Sequence, residues 1–139
     1  MRSRILLFAA TALFSNVAAG GESPEPRLMD AVLVYTVHKM TESVSVMCRK
    51  WHPPASAAVD AAVRALYEKH AAKIEDANRL LREKSWEAQL KSAEQSAMRE
   101  RNYLDEQFQN APPEQRRDWC ERFPERIVAL DGMLTESKL

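Results

Sequence analysis

The chain has 139 residues, 45% of them hydrophobic, and its 20 Lys and Arg residues balance its 20 Asp and Glu residues. This balance gives no reason to expect the strongly basic surface that nucleic-acid-binding proteins need, so we expect no nucleic acid partner. The whole chain contains 3 glycines, too few for the tight loops that build oxyanion holes or hold phosphates. Composition therefore favours a non-catalytic protein, and we expect no enzyme activity.

Residues 1–19 have the order of a secretory signal peptide. Two arginines precede an apolar run over 5–14, and small residues then lead to a cleavage site after Ala19 or Gly20. The apolar run is shorter than the roughly 20 residues that cross a bilayer. We expect a secreted protein, periplasmic if the source is a Gram-negative bacterium, with no membrane span after cleavage.

The exported part is predicted to begin with a flexible leader at 20–27 and to continue as a single helical domain at 28–139. The first helix is predicted at about 24–51, because apolar side chains recur there at intervals of three and four. These side chains are Leu28, Leu33, Val37, Met40, Val44, Met47 and Trp51. Several valines favour a strand instead, but such a strand would have no obvious partner. Pro53 and Pro54 end the helix.

The segment 55–111 contains neither glycine nor proline, and residues with high helix propensity fill most of it. One apolar stripe covers 59–81 and a second, in a different phase, covers 86–108. The phase changes near 84–85. The segment is therefore helical, and it is either one continuous rod or a hairpin of two helices.

The two cysteines favour the hairpin. A continuous rod would be roughly 85 Å long at ~1.5 Å per residue, so that Cys48 and Cys120 could bond only between two chains. A break near the middle gives helices at about 54–84 and 86–110 and brings the cysteines together. A last helix is predicted at 113–135, kinked at Pro124. The predicted fold is all-α, an antiparallel up-down four-helix bundle with one disulfide.

A structural disulfide between Cys48 and Cys120 is the default interpretation for an exported protein. The alternatives are an intermolecular bridge and free thiols. The sequence has no Cys-x-x-Cys spacing of a redox enzyme and no Cys-x-x-Cys-His motif for covalent haem.

His38, His52 and His70 are the three histidines, and none forms a metal-binding motif with another. We therefore expect no metal site and no cofactor. Methionines scattered along the helices leave a periplasmic metal- or haem-binding bundle as the alternative function, although methionine on a helix face usually fills gaps in a core.

Five residues form a candidate binding surface beside the cysteines: Trp51, His52, Arg116, Arg117 and Trp119. Trp and Arg are enriched at the centres of protein interfaces. The alternative is that both tryptophans pack around the disulfide and that the arginines are merely solvated.

The Pro-Glu-Gln-Arg start of the last helix, at 113–116, resembles helix starts in small periplasmic stress proteins of the Spy and CpxP type. That family consists of all-helical chaperones that hold unfolded clients. The similarity covers four residues, and Ala111 and Pro112 stand where the family has Leu-Thr, so no functional residue is carried over.

We therefore predict an exported protein–protein interaction module: an adaptor, an inhibitor or immunity protein, or a chaperone-like binder. Its partner is expected to be another protein, and the module itself is expected to be a monomer or a weak homodimer.

Overall fold

The computed structural model describes residues 26–139, and this part of the chain folds into six helices without a strand. The helices are α1 (Pro26–Trp51), α2 (Ser56–Lys69), α3 (Ala71–Leu81), α4 (Glu87–Asn110), α5 (Pro113–Glu121) and α6 (Phe123–Glu136). Short 3₁₀ turns at Pro53–Ala55 and Lys84–Trp86 precede α2 and α4.

The first helix, α1, is the central element and contacts all five other helices. Its buried apolar side chains are Leu28, Ala31, Val34, Tyr35, Val37, Val44, Met47 and Cys48. Burial against α3 and α4 therefore outweighs the strand preference of the valines. The predicted end of this helix at Trp51 is confirmed.

The structure differs in two respects from the single helix predicted at about 54–84. It is interrupted at His70, and it ends at Leu81. His70 has φ −112° and ψ 20°, and its Nε2 lies 2.6 Å from Asp131 Oδ1 on α6. The neighbouring Lys69 donates to the other oxygen of the same carboxylate at 2.8 Å. We attribute the interruption to this contact with α6, which lies far away in the sequence.

The interruption is confined to one residue. The His70 N–H still donates to Leu66 O, and the Ile74 N–H donates to His70 O, at 3.1 and 3.0 Å. The apolar stripe therefore continues from α2 into α3, and Val59, Val63, Leu66, Ala77 and Leu81 are all buried.

The break predicted near 84–85 is confirmed. Glu83 is extended, with φ −62° and ψ 137°, and α4 begins at Glu87. The segment 55–111 is therefore a helical hairpin rather than a rod. On α4 the second stripe buries Ala93, Leu104 and Phe108.

The last predicted helix, 113–135, is two helices that meet at Arg122, which has φ −91° and ψ −5°. Pro124 has no backbone N–H to continue α5, so the chain starts a new helix instead. A kink was predicted at Pro124, and the structure instead has a break between two helices at Arg122, two residues earlier. The predicted four-helix bundle is not confirmed, because six helices are found.

The predicted disulfide between Cys48 and Cys120 is confirmed. The two Cα atoms are 5.7 Å apart, and both side chains are fully buried. The bond ties the end of α1 to the end of α5. At the far end of α1, the Lys138 N–H donates to Asp30 Oδ2 at 3.3 Å and holds the carboxyl-terminal residues in place.

Within residues 26–139, no helix combines the length and the apolar character that a membrane span requires. The predicted signal peptide at 1–19, most of the predicted leader at 20–27 and the predicted helix start at 24 lie outside the described residues. Pro26 and Arg27, which the leader was predicted to include, belong to α1.

Candidate functional site

The end of α1 and the start of α5 lie side by side next to the disulfide. Four of the predicted binding residues lie there with exposed or half-buried side chains: Trp51, His52, Arg116 and Arg117. We call these four residues the disulfide-end surface. Pro53 prevents α1 from continuing past Trp51 and His52, and Pro112 and Pro113 start α5 just before the two arginines.

The Trp51 side chain is held in one orientation. Its indole Nε1 donates to Asp105 Oδ1 on α4 at 3.0 Å. Lys50 Nζ lies 4.8 Å from the centre of the Trp51 ring and donates to the same carboxylate oxygen at 2.9 Å. The Arg116 guanidinium carbon lies 4.6 Å from the ring centre. Both cations are attracted by the electron-rich face of the indole.

Asp105 is the acceptor that organises this arrangement. Asp105 accepts hydrogen bonds from Lys50 and Trp51. These two bonds, the one from Lys50 with the larger effect, hold the pKa of the Asp105 carboxyl below its usual value. The carboxylate therefore stays ionised at neutral pH and keeps both donors in place.

Arg116 has one backbone partner and unused hydrogen-bonding capacity. Its Nη2 donates to Gln109 O at 2.9 Å, whereas its Nε is buried without a partner. Among residues 26–139 no carboxylate lies within ion-pair distance of Arg116. Its positive charge is therefore available to a ligand or a partner.

The other two residues of the disulfide-end surface, His52 and Arg117, differ in their contacts. His52 Nε2 lies 3.3 Å from Glu121 Oε1, and this contact links the residue after α1 to the end of α5. Arg117 is exposed and follows Arg116 on α5.

Trp119, the fifth predicted residue, is a core residue. It is 6% exposed, meets Phe108 edge to face at a centroid distance of 5.0 Å, and stacks on Phe123 at 5.7 Å. Trp119 is therefore buried, as the alternative interpretation expected of both tryptophans, but its recorded partners are Phe108 and Phe123.

Sequence reasoning missed Lys50, Asp105 and Gln109. The position of Lys50 beside Trp51 was no signal for this contact, because neighbouring residues in a helix do not usually face each other. Asp105 and Gln109 are recognisable only once the hairpin of α3 and α4 brings them back to the end of α1.

The histidines do not converge on one another. His38 pairs with Glu42 at 3.4 Å and His70 with Asp131 at 2.6 Å. Burial lowers the pKa of His38, and the nearby Glu42 opposes this shift. Among the described residues no three His, Cys, Asp or Glu side chains are grouped so that they could hold a metal ion. The absence of a metal or cofactor stays a prediction.

There are two open clefts, of about 740 and 730 Å³; the first lies away from the disulfide, whereas the second extends to Arg49, next to Cys48. Tyr67 lines both of them, with His38 in the first cleft and Ser43 in the second. The Tyr67 hydroxyl is already bonded to Thr41 Oγ1 at 2.7 Å and to His38 O at 2.9 Å. These groups hold α2 against α1, and no reactive set of side chains emerges from them.

No protein-family model, no curated protein and no solved structure matches this chain.

Proposed function

We propose that this protein is an exported, non-catalytic interaction module that binds another protein through its disulfide-end surface. One observation carries the proposal. Trp51 lies half-buried at this end with Lys50 and Arg116 over its ring, and Asp105 fixes its indole. Tryptophan and arginine that are partly desolvated and held in place are typical of interface hot spots.

The rigidity of this end supports the proposal. The disulfide ties α1 to α5, and the bonds of Lys50 and Trp51 to Asp105 tie α1 to α4. A surface that is already ordered loses less conformational freedom on binding, so more of the contact energy appears as affinity.

Charge indicates the nature of the partner. Arg116 and Arg117 stand on α5 without a carboxylate in ion-pair range among residues 26–139, whereas Arg122 is paired with Asp118 at 2.8 Å. A partner that presents acidic groups would complement the two free arginines and would associate faster at low salt.

The proposed architecture has four helical arms in antiparallel order. The backbone hydrogen bonds that cross His70 support one arm made of α2 and α3. The bonds from the Arg122 N–H to Asp118 O and from the Arg126 N–H to Arg122 O support one arm made of α5 and α6. We propose that each interruption is a bend within an arm of an up-down bundle.

The proposal includes export by the segment 1–19, into the periplasm of a Gram-negative source, and a mature protein that is a monomer or a weak homodimer. Adaptors, inhibitors or immunity proteins, and chaperone-like binders all fit a small helical surface of this kind.

The test is affinity purification from the native host with the tagged, exported protein and two double variants. Trp51→Ala with Arg116→Ala removes the centre of the surface. Trp86→Ala with Arg99→Ala is the matched control, because it removes one tryptophan and one arginine elsewhere on the molecule. Circular dichroism verifies that each variant is folded.

We expect a specific protein to be recovered with the wild type and with the control but to be lost with the Trp51 and Arg116 variant. Repeated recovery of no protein would contradict the proposal. Equal recovery with both double variants would also contradict it, because binding would then use another surface.

A further inference from the structure

The second cleft, of about 730 Å³, is a groove whose lining comes from α1, α2 and α4. Its apolar lining includes Val46 on α1, Val63 on α2 and Met98 on α4. Along α1 the lining extends from Tyr35 to Arg49, which is about 21 Å at ~1.5 Å per residue. We call this cleft the α2–α4 groove, and its length corresponds to about four turns of a helix lying in it.

The α4 wall of this groove is incompletely covered by the rest of the chain. Among the 24 residues of α4, only Ala93, Leu104 and Phe108 are buried. Met98 lines the groove and is 62% exposed, while the neighbouring Ala97 is half-buried. A methionine side chain is flexible and readily fills gaps between packed helices. A helix that lies in the groove would therefore remove Met98 from water.

The charged residues of the groove fall into two sets. Four of them form two ion pairs inside the chain, Lys39 with Glu42 and Arg49 with Asp60. The others have no ion-pair partner among residues 26–139: Arg64 on α2, and Glu94 and Arg101 on α4. The α4 wall thus offers one unpaired negative and one unpaired positive charge, a pattern that can be complementary to itself.

The spacing of these two charges fits a contact with two-fold symmetry. Glu94 and Arg101 are seven residues apart, which is two turns of a helix, so both lie on one face of α4. When two copies of α4 pack antiparallel, an axis between positions 97 and 98 places each Glu94 opposite Arg101 of the other copy. The same axis places the large Met98 opposite the small Ala97. Both ion pairs and the apolar contact therefore form in a single register.

We propose that a second copy of this chain occupies the α2–α4 groove. The α4 helices of the two copies pack antiparallel about a two-fold axis beside Met98, with reciprocal ion pairs between Glu94 and Arg101. The inference selects the homodimer from the two states proposed above and names its interface. It does not depend on protein binding at the disulfide-end surface, because no residue of that surface lines the groove.

Sedimentation equilibrium of the exported protein measures the dissociation constant of the dimer. We expect a reversible dimer that dissociates more readily at high salt, because its ion pairs are screened. A protein that stays monomeric up to about 1 mM would overturn the proposal, because such weak association is not a specific interface. The groove would then belong to a different occupant.

Charge exchange tests the pairing of Glu94 with Arg101. Glu94→Arg alone, or Arg101→Glu alone, sets like charges face to face twice in the interface, so the dissociation constant should rise about tenfold or more. The variant with both substitutions exchanges the charges and restores both ion pairs. It should therefore dimerise nearly as tightly as the wild type.

Glu106→Arg and Arg99→Glu are the matched controls, because both residues are exposed on α4 and neither lines the groove. They should leave the dissociation constant unchanged, and circular dichroism verifies that every variant is folded. Unchanged dimerisation in both single variants at 94 and 101 would refute the interface. Failure of the double variant to recover would refute the two-fold pairing.

Disulfide formation under mild oxidation tests the register independently. In Met98→Cys the two new thiols lie beside the axis, so we expect a covalent dimer that separates on reduction. Tyr103→Cys is the control at an exposed position of the same helix. In the proposed register its two copies are about 16 Å apart along the helices, beyond the roughly 7 Å between Cα atoms that a disulfide spans. Equal yields of covalent dimer from the two variants, or none from Met98→Cys, would overturn the proposed placement.

Discussion

Loss of the Cys48–Cys120 disulfide should destabilise the domain strongly. The bond joins residues separated by 72 positions in the sequence. On the chain-entropy model a loop of this length restricts the unfolded chain by about 4 kcal/mol. The whole stability of a small domain is usually about 5–15 kcal/mol, so the bond is expected to supply a large share of it.

The assay is thermal unfolding followed by circular dichroism, with and without a reducing agent. A loss of about 4 kcal/mol should lower the Tm by roughly 10 °C or more in a domain of this size. The Cys48→Ala with Cys120→Ala variant is a second measurement, and it should unfold at a temperature no higher than that of the reduced wild type, because both side chains are fully buried and their truncation leaves space behind.

Mass spectrometry completes the test, since the oxidised protein should be a monomer two hydrogens lighter than its reduced form. Two results would refute the reasoning. One is an unchanged Tm after complete reduction. The other is a dimer that separates on reduction, because it would show that the bridge joins two chains.

Three further predictions follow from the packing. The hydrogen bond from Lys69, and next the one from His70, lower the pKa of the Asp131 carboxyl from its usual 3.8. The contribution of this carboxylate to stability is therefore complete above about pH 4, and it is lost as the pH falls through the lowered pKa of the folded protein. Asp131→Asn should make the acid limb in urea unfolding at different pH values shallower than that of the wild type, with Asp105 supplying part of what remains. An acid limb as steep as that of the wild type would contradict the assignment.

Burial raises the pKa of Tyr67 to about 12, so its contribution to stability is present below about pH 10 and is lost as the pH rises towards 12. Absorbance titration should show a late tyrosine step that disappears in Tyr67→Phe. Leu81→Ala should cost about 2–5 kcal/mol in denaturant unfolding, because this side chain is fully buried, and the half-buried Leu80→Ala should cost less. Equal losses of unfolding free energy in the two variants would contradict the assignment of Leu81 to the core.

Local signals in the sequence were sufficient for much of the fold. The change of stripe phase located the turn between α3 and α4, and Pro124 located the break between α5 and α6. The cysteine pair then selected the hairpin, because only a returning chain brings Cys48 and Cys120 together. These features depend on neighbouring residues or on the simple geometry of helices.

The interruption at His70 had no local signal. No glycine or proline stands there, and the residue lies on the apolar stripe like its neighbours. We attribute it to the contact of His70 with Asp131, 61 positions away in the sequence. A sequence pattern does not reveal such a contact before the packing of α6 against α2 is known.

The candidate site was predictable only in part. The sequence left two interpretations of Trp119 open, a residue of the binding surface or a residue packed around the disulfide, and the structure buries it. The pairing of Trp51 with Asp105 spans 54 positions and depends on the full length of the hairpin.

Site-specific photocrosslinking in the native host tests most directly whether the disulfide-end surface binds a protein. A photoreactive phenylalanine derivative replaces Arg117 on this surface or, as the control, exposed Lys84 in the turn between α3 and α4. The account predicts an adduct of defined mass from position 117 but not from position 84, and this adduct should disappear when Trp51→Ala and Arg116→Ala are also present. No adduct from position 117, or the same adduct from both positions, would contradict it.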